Sequence, residues 1–142
     1  MKTIYLAAGK DGASLLKALA QQAGICQTQS GLATDKSGQS STQCFKVVYN
    51  PKILDICGIL ALFFECVDPY ASAASPAERT WVYYDESEDV FQIEYYFSFM
   101  NSRGAEPYAA CGNLLINDAP HTKAAPKKII TGYSKLVGFT EA

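Results

Sequence analysis

Apolar positions along the chain switch between strand-like and helix-like spacing, and the switches mark the elements. Thr3 to Ala8 is a short continuous apolar run, the pattern of a buried strand. It ends in the glycine-bracketed turn Gly9-Lys10-Asp11-Gly12. From Gly12 to Ala23 the spacing becomes helical, with Leu15, Leu16, Leu19 and Ala23 on one stripe and Gly24 as the stop. Ile25–Leu32 predicts a weak strand of polar alternation. The run "ATDKSGQSS", Ala33 to Ser41, predicts a loop by its composition. Gln43–Tyr49 predicts a stronger strand with Phe45, Val47 and Tyr49 on one face, closed by Asn50-Pro51.

Leu54–Val67 predicts a helix: Leu54, Cys57, Leu60, Ala61, Phe64 and Glu65 follow helical spacing in a segment that is apolar nearly all round. Asp68-Pro69 terminates it. "YASAASPAE" predicts a small-residue loop, and Arg79–Tyr84 a strand of strong β formers. Asp85–Asn101 carries two signals. Phe91, Ile93, Tyr95, Phe97 and Phe99 alternate as in a strand, whereas the acidic start and Gly104 frame a helix; the frame decides for helix. Asn113–Ile116 predicts a further strand. Pro126–Leu136 predicts a short helix, although Lys127 and Lys128 stand at the end where the helix dipole disfavours them. The order β-α-β-β-α-β, then helix, strand and helix, predicts an α+β fold. The expected form is a ferredoxin-like split β-α-β sandwich, a mostly antiparallel sheet covered by helices, with C-terminal helical additions.

Composition narrows this to one domain over residues 1–142, with 49% hydrophobic and 18% charged residues and no tract long enough to suggest disorder. A net charge of -2 argues against a broad nucleic-acid surface, and Lys123, Lys127 and Lys128 read as a solvated face. No run approaches the ~18 continuous apolar residues of a membrane span. The longest, Ile53 to Val67, is interrupted by Asp55 and Glu65. No secretory leader is read at the start, because Gly9-Lys10-Asp11 follows the first short apolar run at once. Cys26, Cys44, Cys57, Cys66 and Cys111 are odd in number and contain no C-x-x-C pair; with His121 the only histidine, no structural zinc, other metal or cofactor is expected. Thiols so placed suit an intracellular, reducing compartment, cytoplasm or organelle lumen.

One long run carries a resemblance. "SGQSSTQCFKVVYNPKILDICGILALFFECVDPY" resembles the central part of the A-type peptide methionine sulfoxide reductases. There, a T-G-H-A-E-x-V-x-V-x-Y-D-P strand leads into a helix ending near F-W-E-x-H-D-P. The matching positions are Val47-Val48-Tyr49-Asn50-Pro51, Phe63-Phe64-Glu65 and Asp68-Pro69. Downstream, "ERTWVYY" is similar to Q-Y-R-S-A-I-Y through Arg79, Thr80 and Tyr83. "PKKIITGYSKL" is similar to A-E-x-Y-H-Q-Q-Y-L through Tyr133. The resemblance spans roughly residues 3–136, and most shared positions are packing or turn residues.

The resemblance gives the opening turn a counterpart, G-C-F-W-G, whose cysteine is the nucleophile and whose aromatics cage the substrate methyl group. It implies that Gly9 stands at the cysteine, Lys10 and Asp11 at the aromatics, and Gly12 at the closing glycine. It likewise places Gln43 at the catalytic glutamate, Glu78 at the tyrosine of Q-Y-R-S-A and Val67 at the histidine of H-D-P. Both loops that contact substrate in the family are shortened here. A glutamine cannot exchange a proton as a glutamate does, and without a sulfur nucleophile there is no covalent step.

Three functional readings follow. The first is a catalytically inactive reductase-like domain, a structural or interaction subunit of a larger assembly, binding a protein partner or a second copy. Tyr84, Tyr95, Tyr96 and Phe99 are its candidate partner surface. The second is an enzyme with new acid/base chemistry on a small molecule. Its remnant pocket comprises Gly9, Lys10, Asp11, Gln43, Asp68 and Glu78, with Lys10, Asp11 and Glu78 as the chemical groups and a ligand beside Gly9. The third is an active peptide-methionine (S)-S-oxide reductase using a displaced cysteine. A phosphate cradle at the turn lacks G-x-x-x-x-G-K-[ST] spacing.

Overall fold

The computed structural model describes residues 1–34, 41–70, 75, 78–103 and 130–141. Strand β1, Lys2–Ala8, is flanked by strands on both sides and is buried from Ile4 onward. A single 3-10 turn, Gly9–Asp11, leads into helix α1, Gly12–Gln21. Strands β2, Ile25–Thr34, and β3, Ser41–Tyr49, pair antiparallel from Thr34 opposite Ser41 to Ile25 opposite Tyr49, with a bulge at Cys26. Helix α2 is Ile56–Cys66; the Asp55 carboxylate caps it by accepting from the Gly58 N–H at 2.8 Å. Strand β4, Thr80–Tyr84, a 3-10 turn, Ser87–Asp89, and helix α3, Val90–Arg103, follow. Strands β5, Gly132–Lys135, and β6, Gly138–Glu141, close the described chain.

The six strands form one mixed sheet in the order β5-β4-β1-β3-β2-β6. β1 pairs antiparallel with β3 and β4, so Leu6 lies opposite both Phe45 and Val82. Strand β5 runs parallel to β4, and β6 antiparallel to β2. Because β3 is antiparallel to β1 and to β2, β1 and β2 are parallel with β3 inserted between them.

Alternation along β1 supplies two cores. Ile4, Leu6 and Ala8 join Val47, Tyr49 and Val82 under Leu15 and Leu19 of α1, Ile56, Ile59, Leu60 and Phe63 of α2, and Ile93 and Phe97 of α3. On the opposite face Tyr5, Ala7, Ala33, Cys44 and Tyr83 form a smaller cluster with Trp81, Leu136 and Phe139.

Three sequence expectations are corrected. The helix expected over Pro126–Leu136 is strand where it is described, from Gly132 to Lys135. Gly132 lies against the Trp81 indole so closely that a Cβ there would sit 2.5 Å from the ring, and Trp81 Nε1 donates to Ser134 Oγ at 2.9 Å. These contacts with β4 outweigh a weak local helical pattern. The stripe of α1 omits Leu16, which is 39% exposed. The buried stripe of α2 is Ile56, Ile59, Leu60 and Phe63, because a helix apolar all round does not reveal its own phase. The strand expected at Asn113–Ile116 lies outside the described residues.

The alternating aromatics of α3 have a simple explanation. Two residues along a helix is a rotation of about 200°, so every second residue changes sides. Ile93 and Phe97 are buried, whereas Phe91, Tyr95 and Phe99 are exposed at 73%, 71% and 41%.

Candidate functional site

The turn between β1 and α1 faces the β2–β3 hairpin, and a cavity of about 500 Å³ opens between them. The turn and the start of α1 contribute Ala8, Gly9, Lys10, Gly12 and Ala13 to its wall, and the hairpin contributes Ser30 to Leu32 and Gln43 to Phe45. Its size falls within the ~300–1,000 Å³ of ordinary ligand pockets. Leu32 pairs with Gln43 and Ser30 with Phe45. Phe45 packs against the helix-side core, so Gln43, Ser30 and Leu32 face the same side by strand alternation. Gly31 and Cys44 face the other way; a Cβ on Gly31 would meet the Phe139 ring and the Thr140 carbonyl oxygen at 2.4 Å.

Gly9 is the tightest point. Its φ is +57°, the left-handed region, and a Cβ placed there would lie 2.2 Å from the carbonyl oxygen of Glu78. The chain entering β4 therefore closes over the position that the sequence resemblance matches to a cysteine.

Of the six residues expected to form a remnant pocket, Gly9, Lys10 and Gln43 meet on the cavity wall. The other three stand off it. Asp11 is half-buried at the N-cap of α1 and makes no side-chain capping bond. Asp68 is exposed after α2 and accepts from the Tyr70 N–H at 2.9 Å. Glu78 is exposed and meets the turn through its backbone carbonyl. No carboxylate side chain lines the cavity among the described residues. Sequence reasoning did not single out Ser30, Leu32 or Phe45 for the wall. The usable signal was strand pairing: once Gln43 is on the wall, its antiparallel partner Leu32 brings that end of β2 with it.

Three of the four described cysteines, Cys44, Cys57 and Cys66, are poorly placed for nucleophilic work, which requires a thiolate. Cys44 is 3% exposed, and burial pushes its thiol up to about 12. Cys66 ends α2 with its Sγ 3.9 Å from the Ser14 carbonyl oxygen; burial, then Glu65 and Asp11, raise it. Burial, then Asp55, raises Cys57. Cys26 is exposed on β2, its Sγ 3.5 Å from the Met1 sulfur. Cys111 lies outside the described residues. Iodoacetamide at pH 8 is therefore expected to label Cys26 readily and to leave Cys44 unmodified in the folded protein. Peptide mass spectrometry over a time course checks this, and equal labelling of the two would refute the burial of Cys44.

Glu86, Glu88 and Asp89 bring carboxylate oxygens within 4.8 Å of one another. The ammonium of Lys2 already serves this group, at 3.7, 3.1 and 2.5 Å respectively, so the cluster reads as an ion-pair network.

Of the aromatic residues expected at a partner surface, Tyr95 and Phe99 are exposed together with Phe91. Tyr84 and Tyr96 are half-buried against the helix-side core, and Tyr96 stacks on Phe64 with ring centroids 5.8 Å apart.

The overall fold is similar to that of solved methionine sulfoxide reductase A structures. Mxr1 from Saccharomyces cerevisiae in an unusual oxidized form matches with a TM-score of 0.65 and 19% identity, over 99% of this chain and 76% of that chain. Its reduced form matches with a TM-score of 0.65 and 18% identity, over 99% and 79%. Methionine sulfoxide reductase A of Corynebacterium diphtheriae matches with a TM-score of 0.61 and 20% identity, over 92% and 62%. No protein-family model and no curated protein matches the sequence. Among the described residues, no helix is long and apolar enough to cross a membrane.

Proposed function

We propose that this chain is a methionine sulfoxide reductase fold without the reductase chemistry, serving as a structural or interaction subunit of a larger assembly. One observation carries the reading: at the counterpart of the nucleophile, the turn has no room for any side chain, since a Cβ on Gly9 would collide with the Glu78 carbonyl oxygen. Gln43 on the facing wall, and a buried, protonated Cys44 beside it, support it. The exposed ridge Phe91-Tyr95-Phe99 supplies the contact face for a protein partner or a second copy. The run β4-β1-β3-β2, with β3 between two parallel strands, supports the reading of the core as a split β-α-β sandwich.

The test is turnover of free and peptide-bound methionine sulfoxide with dithiothreitol or thioredoxin as reductant. No product above the uncatalysed background is expected. Turnover that disappears on alkylation would overturn the proposal in favour of a displaced cysteine. The cavity favours a second reading in part: a small ligand fits beside Gly9. Of the acid/base groups Lys10, Asp11 and Glu78, only Lys10 reaches the wall, which favours retention of a ligand over its transformation.

A further inference from the structure

We propose that the cavity beside Gly9 binds a small monocarboxylate with an apolar body, held by Lys10 on one wall and by Ser30 and Gln43 on the other. The inference rests on the reading of this site as non-catalytic only in that the ligand leaves unchanged.

The cavity decides the size, and its wall decides the chemistry. About 500 Å³ accommodates an organic acid carrying an aryl-sized group. Lys10 is the one charged side chain on the wall, and no acidic side chain opposes it there among the described residues. An anion is therefore favoured over a cation or a zwitterion, and a single charge over a double one. Ser30 and Gln43 bring a hydroxyl and an amide, both able to donate to a carboxylate oxygen. Leu32 and Phe45 lie between them on the hairpin and give the apolar body its contact. Gly9 and Gly12 line the facing wall where α1 begins, with the Glu78 carbonyl oxygen and the Phe45 ring already packed where their side chains would stand. The positive end of that helix adds to the Lys10 field, but it is the partly open cavity, lined by no carboxylate among the described residues, that makes the site.

The experiment titrates the isotope-labelled full-length chain with 3-phenylpropionate and, separately, with the uncharged isostere 3-phenylpropionamide. Amide resonances of Gly9, Gly12 and Gln43 are followed by NMR. The acid is expected to shift all three and to bind at least about fivefold more tightly than the amide, the margin of one favourable charge pair at a partly open site. Lys10→Ala is expected to weaken the acid about two- to fivefold and to leave the amide unchanged. Gln43→Glu, which sets a carboxylate against the ligand, is expected to cost roughly tenfold or more in acid binding. Both substitutions are at exposed positions, and the same spectra report whether the fold is kept. Equal binding of acid and amide, no shift at these three residues, or an acid affinity indifferent to Lys10→Ala would overturn the inference. Sulfoxide turnover, measured separately, bears on the loss of reductase chemistry and not on this binding.

Discussion

Replacing Gly9 with cysteine is expected to destabilise the protein by roughly 2–5 kcal/mol and to leave methionine sulfoxide unreduced. Two costs add. A non-glycine residue in the left-handed region costs about 1–2 kcal/mol. Forcing a side chain into filled space costs about 1–3 kcal/mol more. The obstacle here is the Glu78 carbonyl oxygen, 2.2 Å from the new Cβ, so relief requires the chain entering β4 to move. Gly9→Ala should lose a similar amount, because the Cβ and not the sulfur is at fault. Urea unfolding midpoints of the two variants test this. Two variants as stable as the parent would show that the turn readily accepts a side chain and would remove the main support for a closed site. Gly9→Cys also still lacks an acid, since Gln43 cannot supply a proton. Its failure to turn over sulfoxide is therefore expected even where the turn relaxes.

The second large effect lies at the other end of β1. Lys2→Met is expected to cost about 2–3 kcal/mol, because it leaves the Asp89 carboxylate, 1% exposed, without its cation. Lys2 joins the first strand to the turn that starts α3, where Glu88 and Asp89 also suit the positive helix terminus. Glu88→Gln, at an exposed position, should change stability little. The pH dependence has a definite sign. The hydrogen bond to Asp89 is the main cause that raises the Lys2 ammonium above the ordinary lysine range. Its stabilisation is fully present below the unfolded lysine value, about 10.4, and is lost only as pH rises through the higher folded value. The gap between parent and Lys2→Met should thus stay constant from pH 6 to 9 in urea titrations. A gap that closes as pH rises within that window would contradict the pairing.

Local pattern carried far along the first hundred residues. The apolar run before Gly9, the helical spacing of Leu15 and Leu19, and the β-formers from Thr80 to Tyr84 each lie in the element they announce. For α3 the acidic start was the better guide, because aromatic alternation fits a strand and a two-faced helix equally. Pattern misled where an element owes its form to a distant neighbour: Gly132–Lys135 is strand because Trp81–Tyr84 offers it hydrogen bonds and an indole to cover.

The candidate site divides in the same way. Sequence comparison brought Gly9 and Gln43 to one place across more than thirty residues, and both line the cavity. It also grouped Asp11, Asp68 and Glu78 with them, although none of the three reaches the wall. Side-chain direction depends on strand register and on where a helix begins, and neither is a local property.

By itself, the sequence determined the identity and order of the elements through β4 and α3, and the absence of a sulfur at the first turn. These follow from side-chain size, polarity and spacing, which act within a few residues. Only the tertiary structure decided that β5 and β6 extend the sheet, that Glu78 closes over Gly9, and that a cavity lined by no carboxylate among the described residues remains beside it. Those features are made by groups far apart in the chain, and whether they clash, pair or leave a space is set by packing in three dimensions.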